Sequence, residues 1–191
     1  MQNAGKQISI PNIITIARIL MTPFFVILLL KEQFGTALWV FIIAGVSDAL
    51  DGLIARVFNQ RTVLGAYLDP IADKLLLAAA FISLGILHMV PAWVVVIVIT
   101  RDILILVGLA IISLTNTRLR ISPSFVSKCT TGLQLVTIAM TLLRHEANYL
   151  NAALPVFFWL TACFTTLSGL HYIYVGMNIL QTGTSSDGTQ K

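Results

Sequence analysis

An all-α integral membrane protein of six transmembrane helices is the fold class that this chain predicts, and three observations predict it. Of its 191 residues, 57% are hydrophobic and only 10% carry a charge, against about 25% charged residues in a soluble domain. Its mean hydropathy is +0.90. Apolar runs of membrane-spanning length recur from about residue 13 to residue 180, leaving no room for a water-soluble domain. Helices are expected in those runs because lipid offers no water to exposed backbone groups.

The first span is expected over 13–30. Pro11 and Asn12 precede it, as a proline at a helix start and an asparagine cap should. No small-residue cleavage site follows it, so it reads as a retained helix and not a removed signal peptide. Before it, Ile8 and Ile10 suit a short stretch along the membrane surface. The remaining spans are expected over 36–56, 67–87, 92–114, 124–143 and 153–179, divided by short polar or Gly/Pro segments. The tail from Thr182 to Lys191 is rich in Gly, Ser and Thr and reads as disordered, so residues 1–181 form one domain. No internal repeat is visible, and a transporter built from inverted halves has no positive support.

Six spans put both termini on one side. Lys6, Arg18, Arg56, Arg61, Lys74, Arg118, Arg120, Lys128 and Lys191 fall on that side, whereas the opposite loops hold Lys31 and Arg144. By the positive-inside rule the termini and the second and fourth loops are cytoplasmic. Trp39, Trp93 and Trp159 fall near outer span ends, where an aromatic belt accounts for them. The net charge of +4 comes from 12 basic and 8 acidic residues, too scattered for a nucleic-acid face. Cys129 and Cys163 have no paired spacing, which supports neither a disulfide framework nor a metal–thiolate site.

Four of the acids, Asp48, Asp51, Asp69 and Asp73, lie within 26 residues of this apolar chain. An uncompensated carboxylate at membrane depth costs several kcal/mol, so each marks a functional site by default. Asp48 and Asp51 are spaced i, i+3 at the end of the second span, and Asp69 and Asp73 i, i+4 at the start of the third, so each pair shares one helix face. Returning through the loop 57–64, the two helices can bring four carboxylates together at the cytoplasmic boundary. Such a cluster demands cations, and oxygen-only ligands without His or Cys favour Mg2+, Mn2+ or Ca2+ over Zn2+. Arg56 adds a guanidinium for phosphate. Gly52, Gly65 and Ala55 leave space where a flat, bulky ligand could approach the backbone. The competing readings are a solvated structural patch balanced by Arg56, Arg61 and Lys74, and a small cation transporter with the aspartates as its ion site.

The segment from Asp48 to Asp73, DALDGLIARVFNQRTVLGAYLDPIAD, resembles the signature of the CDP-alcohol phosphatidyltransferase family without a departure: DxxDGxxAR, eight residues, G, three residues, D, three residues, D. PNIITIAR at Pro11–Arg18, the pair Arg101–Asp102, and SKCTTGLQ at Ser127–Gln134 extend the resemblance to the short phospholipid-synthesising members. The resemblance implies six helices around a cytoplasm-facing polar cavity open to lipid, usually in a homodimer. It implies two divalent cations, Mg2+ or Mn2+, held by Asp48, Asp51, Asp69 and Asp73, with Asp73 also the general base. It places Gly52, Ala55, Arg56 and Gly65 at the cytidine and diphosphate, and Asn12, Thr15 and Arg18 where the first helix meets the diphosphate. The implied reaction moves a phosphatidyl group from CDP-diacylglycerol to an alcohol and releases CMP, in a bacterial inner membrane.

Arg101, Arg118, Arg120 and Lys128 form a basic cluster suited to an acceptor phosphate. For Arg118 and Arg120 the alternative is a positive-inside anchor, and for Arg101 an ion pair with Asp102. Glycerol 3-phosphate is the first expectation for the acceptor. The RD pair, in place of the usual RE, together with SPSFVSK at Ser122–Lys128 and TTLSG at Thr165–Gly169, resembles the cardiolipin synthases of the family and makes phosphatidylglycerol the alternative. His88 and His145 read as outer-loop residues and His171 as a packing or interfacial group.

Overall fold

The computed structural model describes the backbone of residues 10–57, 63–114, 125–144 and 148–185, and within these the side chains of 15–47, 72, 74–108, 127–144 and 150–174. The described residues form six α-helices, α1 (Ile10–Leu30), α2 (Phe34–Val57), α3 (Val63–Ile86), α4 (Ala92–Leu114), α5 (Phe125–Leu143) and α6 (Leu154–Ser185), with a 3-10 turn at Asn148–Ala152 and no strand. The all-helical class and the six-element order agree with the sequence. Helix boundaries differ where hydrogen bonding outlasts apolarity. Because α1 starts at Ile10, Pro11 stands in its first turn and Asn12, expected as the cap, lies inside the helix. Helix α3 starts at Val63, ahead of its apolar run. Helix α6 reaches Ser185, so Thr182–Ser185, read from composition as tail, are helical; propagating a formed helix is far cheaper than nucleating one. Residues 186–191 lie outside the described residues.

Among the described residues, one helical stretch, Leu150–Tyr174 with mean hydropathy 1.6, is long and apolar enough to cross a membrane, and Thr15–Leu30, Phe34–Ser47 and Lys74–Ile86 are shorter apolar helices. Large apolar side chains are exposed on every helix, among them Leu20, Trp39, Ile86, Val96, Val136 and Trp159. So much outward apolar surface is foreign to a soluble monomer.

Helix α1 packs on α2 and α3, α4 on α3 and α6, and α5 on α2 and α6. The core is segregated along the helix axes. Toward the end where α1, α3 and α5 terminate, it is mainly apolar: Phe25 and Leu29, Ala37 and Phe41, Ala80 and Leu84, Val94 and Val98, Ile138 and Leu142, Leu154 and Phe158, with Ser83, Thr137, Thr141 and Thr161 buried among them. Toward the other end the buried residues turn polar: Thr15, Arg18 and Thr22 on α1, Arg101 and Asp102 on α4, Thr130 and Gln134 on α5, Thr165 and Ser168 on α6.

The apolar end is closed by two helix caps of one kind. Glu32 and His88 have φ of 56° and 54°, and the N–H groups of Gln33 and Met89 reach back to the carbonyls of Leu28 and Leu84 at 3.0 and 2.9 Å. These are Schellman closures in which a non-glycine residue takes the left-handed position. They deliver the chain directly into α2 and, through Pro91, into α4. Trp93 and Trp159 meet there with ring centroids 4.8 Å apart, placing the starts of α4 and α6 side by side.

Helices α3 and α4 approach closely at Gly85, where a methyl group would lie 2.9 Å from Val95 Cγ2. The branched Val95 side chain has little room to yield. Gly85→Ala is therefore expected to destabilise the protein by about 1–3 kcal/mol despite alanine's better helix propensity. A thermal midpoint measured in detergent checks this, and an unchanged or higher midpoint would contradict it.

Candidate functional site

The aspartate segment and the polar residues of the first span are carried by α1, α2 and α3. On α1, Thr15, Arg18 and Thr22 are buried at spacings of three and four residues that run on into buried Phe25 and Leu29, one helix face throughout. Thr22 Oγ1 donates to the Arg18 carbonyl at 3.0 Å. On α2 the buried positions Ala37, Phe41 and Ala44 continue, in the same three-and-four register, to 48, 51 and 55, the positions of Asp48, Asp51 and Ala55. On α3 buried Leu84, Ala80 and Leu76 continue backwards to 73 and 69, the positions of Asp73 and Asp69. Since α1 packs against both α2 and α3, its polar face is buried between the helices that carry the four aspartates.

Asn12, Asp48, Asp51, Gly52, Ala55, Arg56, Gly65, Asp69 and Asp73 are helical in backbone, and their side chains lie outside the described residues, as do Arg118, Arg120 and His145 altogether. Among the described residues no three His, Cys, Asp or Glu side chains come together. The donor set in question is that of the 48–73 segment, four carboxylates without a His or Cys. It suits hard divalent cations, which leave coordination positions to phosphate oxygens and water.

Arg101 and Asp102, on α4, are 2% and 4% exposed. Asp102 Oδ1 accepts from Arg101 Nη1 at 2.7 Å and from Lys74 Nζ of α3 at 2.6 Å. The second terminal nitrogen of Arg101 donates to Ser127 Oγ of α5 at 2.8 Å and to Ser168 Oγ of α6 at 2.9 Å. Gly169 of α6 faces the arginine stem, whose Cγ is 3.7 Å from where a Cβ at 169 would stand, an ordinary van der Waals distance. Arg101 thus forms the ion pair with Asp102 that its place in an apolar span requires, and both terminal nitrogens are engaged within the protein. Lys128, by contrast, is exposed on α5. His88 lies exposed in the α3–α4 turn, and His171 is exposed on α6 instead of packed.

A second polar feature runs between α5 and α6. Thr130, Gln134, Thr137 and Thr141 face Thr161, Thr165 and Ser168, all fully buried. Thr130 donates to the Phe164 carbonyl at 3.2 Å, Gln134 Nε2 to Thr165 at 3.4 Å, and the Thr137 and Thr161 hydroxyls are 2.8 Å apart. Because Thr137 already donates to the Leu133 carbonyl at 2.8 Å, Thr161 is the donor between them. Between apolar helices such bonds act as glue, averaging about 0.6 kcal/mol each in a membrane. Thr137→Val is expected to lower stability by about 0.5–1.5 kcal/mol without altering substrate affinity. A loss above that range, or a changed affinity, would contradict this role.

Sequence reasoning left these partners unassigned. The SPSFVSK and TTLSG stretches pointed near them, and they contain Ser127 and Ser168. The three-and-four spacing of polar residues on α5 was a readable signal for the seam.

The profile of the CDP-alcohol phosphatidyltransferases matches residues 8–168 of this chain. The chain belongs to that family. It is 33% and 32% identical to cardiolipin synthases (CMP-forming) of Rattus norvegicus and Homo sapiens, over 91% of this chain in each case. It spans 63% of the length of those two relatives. It is 32% identical to a CDP-diacylglycerol--glycerol-3-phosphate 3-phosphatidyltransferase of Bacillus subtilis, over 91% of this chain and 98% of the relative. Within a CDP-alcohol phosphatidyltransferase the polar end of the bundle, where α2 and α3 carry the aspartate segment, is the candidate active site.

Proposed function

We propose that the protein is a metal-dependent phospholipid-synthesising transferase that moves a phosphatidyl group from CDP-diacylglycerol to glycerol 3-phosphate and releases CMP. The observation that carries this is the unbroken family signature at Asp48–Asp73, carried by α2 and α3 at the end of the bundle where the buried residues of the other helices turn polar. Asp48, Asp51, Asp69 and Asp73 would hold two divalent cations, Mg2+ or Mn2+. When bound, these supply charge neutralisation for the diphosphate and for the departing CMP.

The protein's own groups do the rest. Arg56, with Asn12, Thr15 and Arg18 of α1, binds the diphosphate, and Gly52, Ala55 and Gly65 leave the cytidine room beside the backbone. Asp73 takes the proton of the acceptor hydroxyl as its oxygen bonds to the phosphorus that carries diacylglycerol, and the bond from that phosphorus to the CMP oxygen breaks. A carboxylate beside cations is a weak base, so its contribution comes from placement close to the hydroxyl. Lys128, Arg118 and Arg120 would meet the acceptor phosphate. The exposed apolar surface gives the lipid substrate a sideways route from the bilayer. In this reading six helices span a bacterial inner membrane, with the termini and the site cytoplasmic, and the chain works as a homodimer.

A second reading, a cardiolipin synthase that uses phosphatidylglycerol, is favoured by the RD pair and by the rat and human relatives. The full-length similarity to the B. subtilis enzyme favours glycerol 3-phosphate. Supplying each labelled acceptor separately to purified protein in liposomes with CDP-diacylglycerol and Mg2+ decides between them. Product from glycerol 3-phosphate alone supports the first reading, and product from phosphatidylglycerol alone overturns it for the second.

A further inference from the structure

The proposed chemistry does not use the buried charge cluster on α4, yet that cluster reaches the catalytic segment through one residue. Lys74, whose side chain is 18% exposed, follows Asp73 directly in sequence. Its ammonium is held on Asp102 at 2.6 Å. Asp102 is in turn clamped by Arg101 at 2.7 Å, and Arg101 is tied to Ser127 of α5 and Ser168 of α6. Three charges therefore join α3 to α4, α5 and α6 at the depth where the buried residues turn polar.

We infer that Asp102 is a positioning residue for the transfer: by holding Lys74, it sets the rotation of α3 about its own axis, and so the direction of the face that carries Asp69 and Asp73. The inference rests on the reading of those aspartates as catalytic. Neighbouring residues on a helix are separated by about 100° around the axis, whereas residues four apart share a face. A bridge at 74 therefore fixes the azimuth of the 69/73 pair, and turning α3 by a single residue step would break it. Toward the other end of α3, buried Leu76, Leu77, Phe81 and Leu84 pack the helix, whereas at the 69–73 end the bridge from Lys74 is a polar tie to α4.

The cluster also has the character of a device kept for geometry and not for stability. Two cations share one carboxylate oxygen, while Asp102 Oδ2 and Arg101 Nε are buried without a hydrogen-bond partner among the described residues. A buried pair selected for stability should satisfy these atoms or be replaced by apolar packing, which is often neutral or better.

The test is a double-mutant cycle on the full chain in liposomes, using Asp102→Asn, Lys74→Met and the double variant, with Asp102→Glu as the conservative control. Misplacing a catalytic group by an ångström costs up to about 100-fold. Each single change is therefore expected to lower kcat by about 10- to 100-fold, with KM for CDP-diacylglycerol and acceptor within about threefold of wild type. The double variant should be no slower than the slower single one, since both remove one bridge. Asp102→Glu should recover most of the lost kcat. As a readout independent of turnover, the Mg2+ concentration that gives half of the metal-induced thermal shift should rise in both single variants. Where Asp102→Asn does not fold, Lys74→Met and Asp102→Glu decide by the same split. Singles that multiply in the cycle, or kcat retained while only the thermal midpoint falls, would overturn the inference alone. A folded wild type that releases no CMP overturns the transferase reading and the inference with it.

Discussion

Asp73→Asn is expected to remove CMP release by a factor of about 10²–10⁴, the usual worth of a positioned general base, while leaving the protein folded. Asparagine keeps the size and one oxygen of aspartate but accepts no proton at neutral pH. In the absence of metal, four like charges confined to one end of the bundle repel one another. Removing one should leave the metal-free thermal midpoint unchanged or raise it. The wild type should gain stability as Mg2+ is added, because a ligand that binds only the folded state stabilises it by mass action. The variant should gain less. This pair of results separates a catalytic carboxylate from a structural one, whose loss would lower stability and leave turnover largely intact. A variant that turns over within about threefold of wild type would remove Asp73 from the chemistry.

Arg101→Met carries the largest expected effect on stability. The arginine stem is buried against Gly169, and its head group holds Asp102, Ser127 and Ser168. Methionine can fill much of the stem's volume, so the change chiefly removes the charge and its hydrogen bonds. Deleting one partner of a buried ion pair costs about 3–5 kcal/mol, because the other is left with its desolvation uncompensated. Lys74 remains on Asp102 and holds the loss toward the lower end. In a chain of this size each kcal/mol moves the midpoint by roughly 2–4 °C, so a fall on the order of 10 °C is expected. Detergent-solubilised thermal unfolding measures it. The same variant resolves the role of Arg101 toward the acceptor. A structural arginine predicts an unchanged KM for glycerol 3-phosphate in the surviving folded fraction, whereas a stable variant with a many-fold raised KM would make it a direct acceptor contact.

Much of the fold was legible in the sequence, because lipid-length apolar runs between polar punctuation marked the helices. The expectation for Asp48, Asp51, Asp69 and Asp73 rests on the cost of carboxylates in so apolar a chain, and their side chains lie outside the described residues. Helix ends were less legible. Thr182–Ser185 are helical despite a composition that favours irregular chain, since hydropathy reports where apolar residues stop and not where backbone bonding does. The links across the bundle were not legible at all. Lys74 meets Asp102 across 28 residues and Arg101 meets Ser168 across 67, and no spacing rule connects positions on different helices. The sequence raised the pairing of Arg101 with its neighbour Asp102, but three further partners came only from packing. The threonine seam lay between these cases. Its spacing on α5 was visible, but threonine passes as span-filling residue until the facing threonines of α6 are known.

Phosphatidyl transfer by the aspartate segment is the step on which the proposed function stands. The most direct measurement is CMP release by the purified, lipid-reconstituted protein given CDP-diacylglycerol, with Mg2+ or with chelator, and with glycerol 3-phosphate or phosphatidylglycerol as acceptor. CMP is expected in equal amount to new phospholipid, dependent on both metal and acceptor, and absent from Asp73→Asn. Folded, metal-supplied protein that releases no CMP with either acceptor, while carrying a divalent cation across the liposome membrane, would contradict it and establish the aspartates as a transport site.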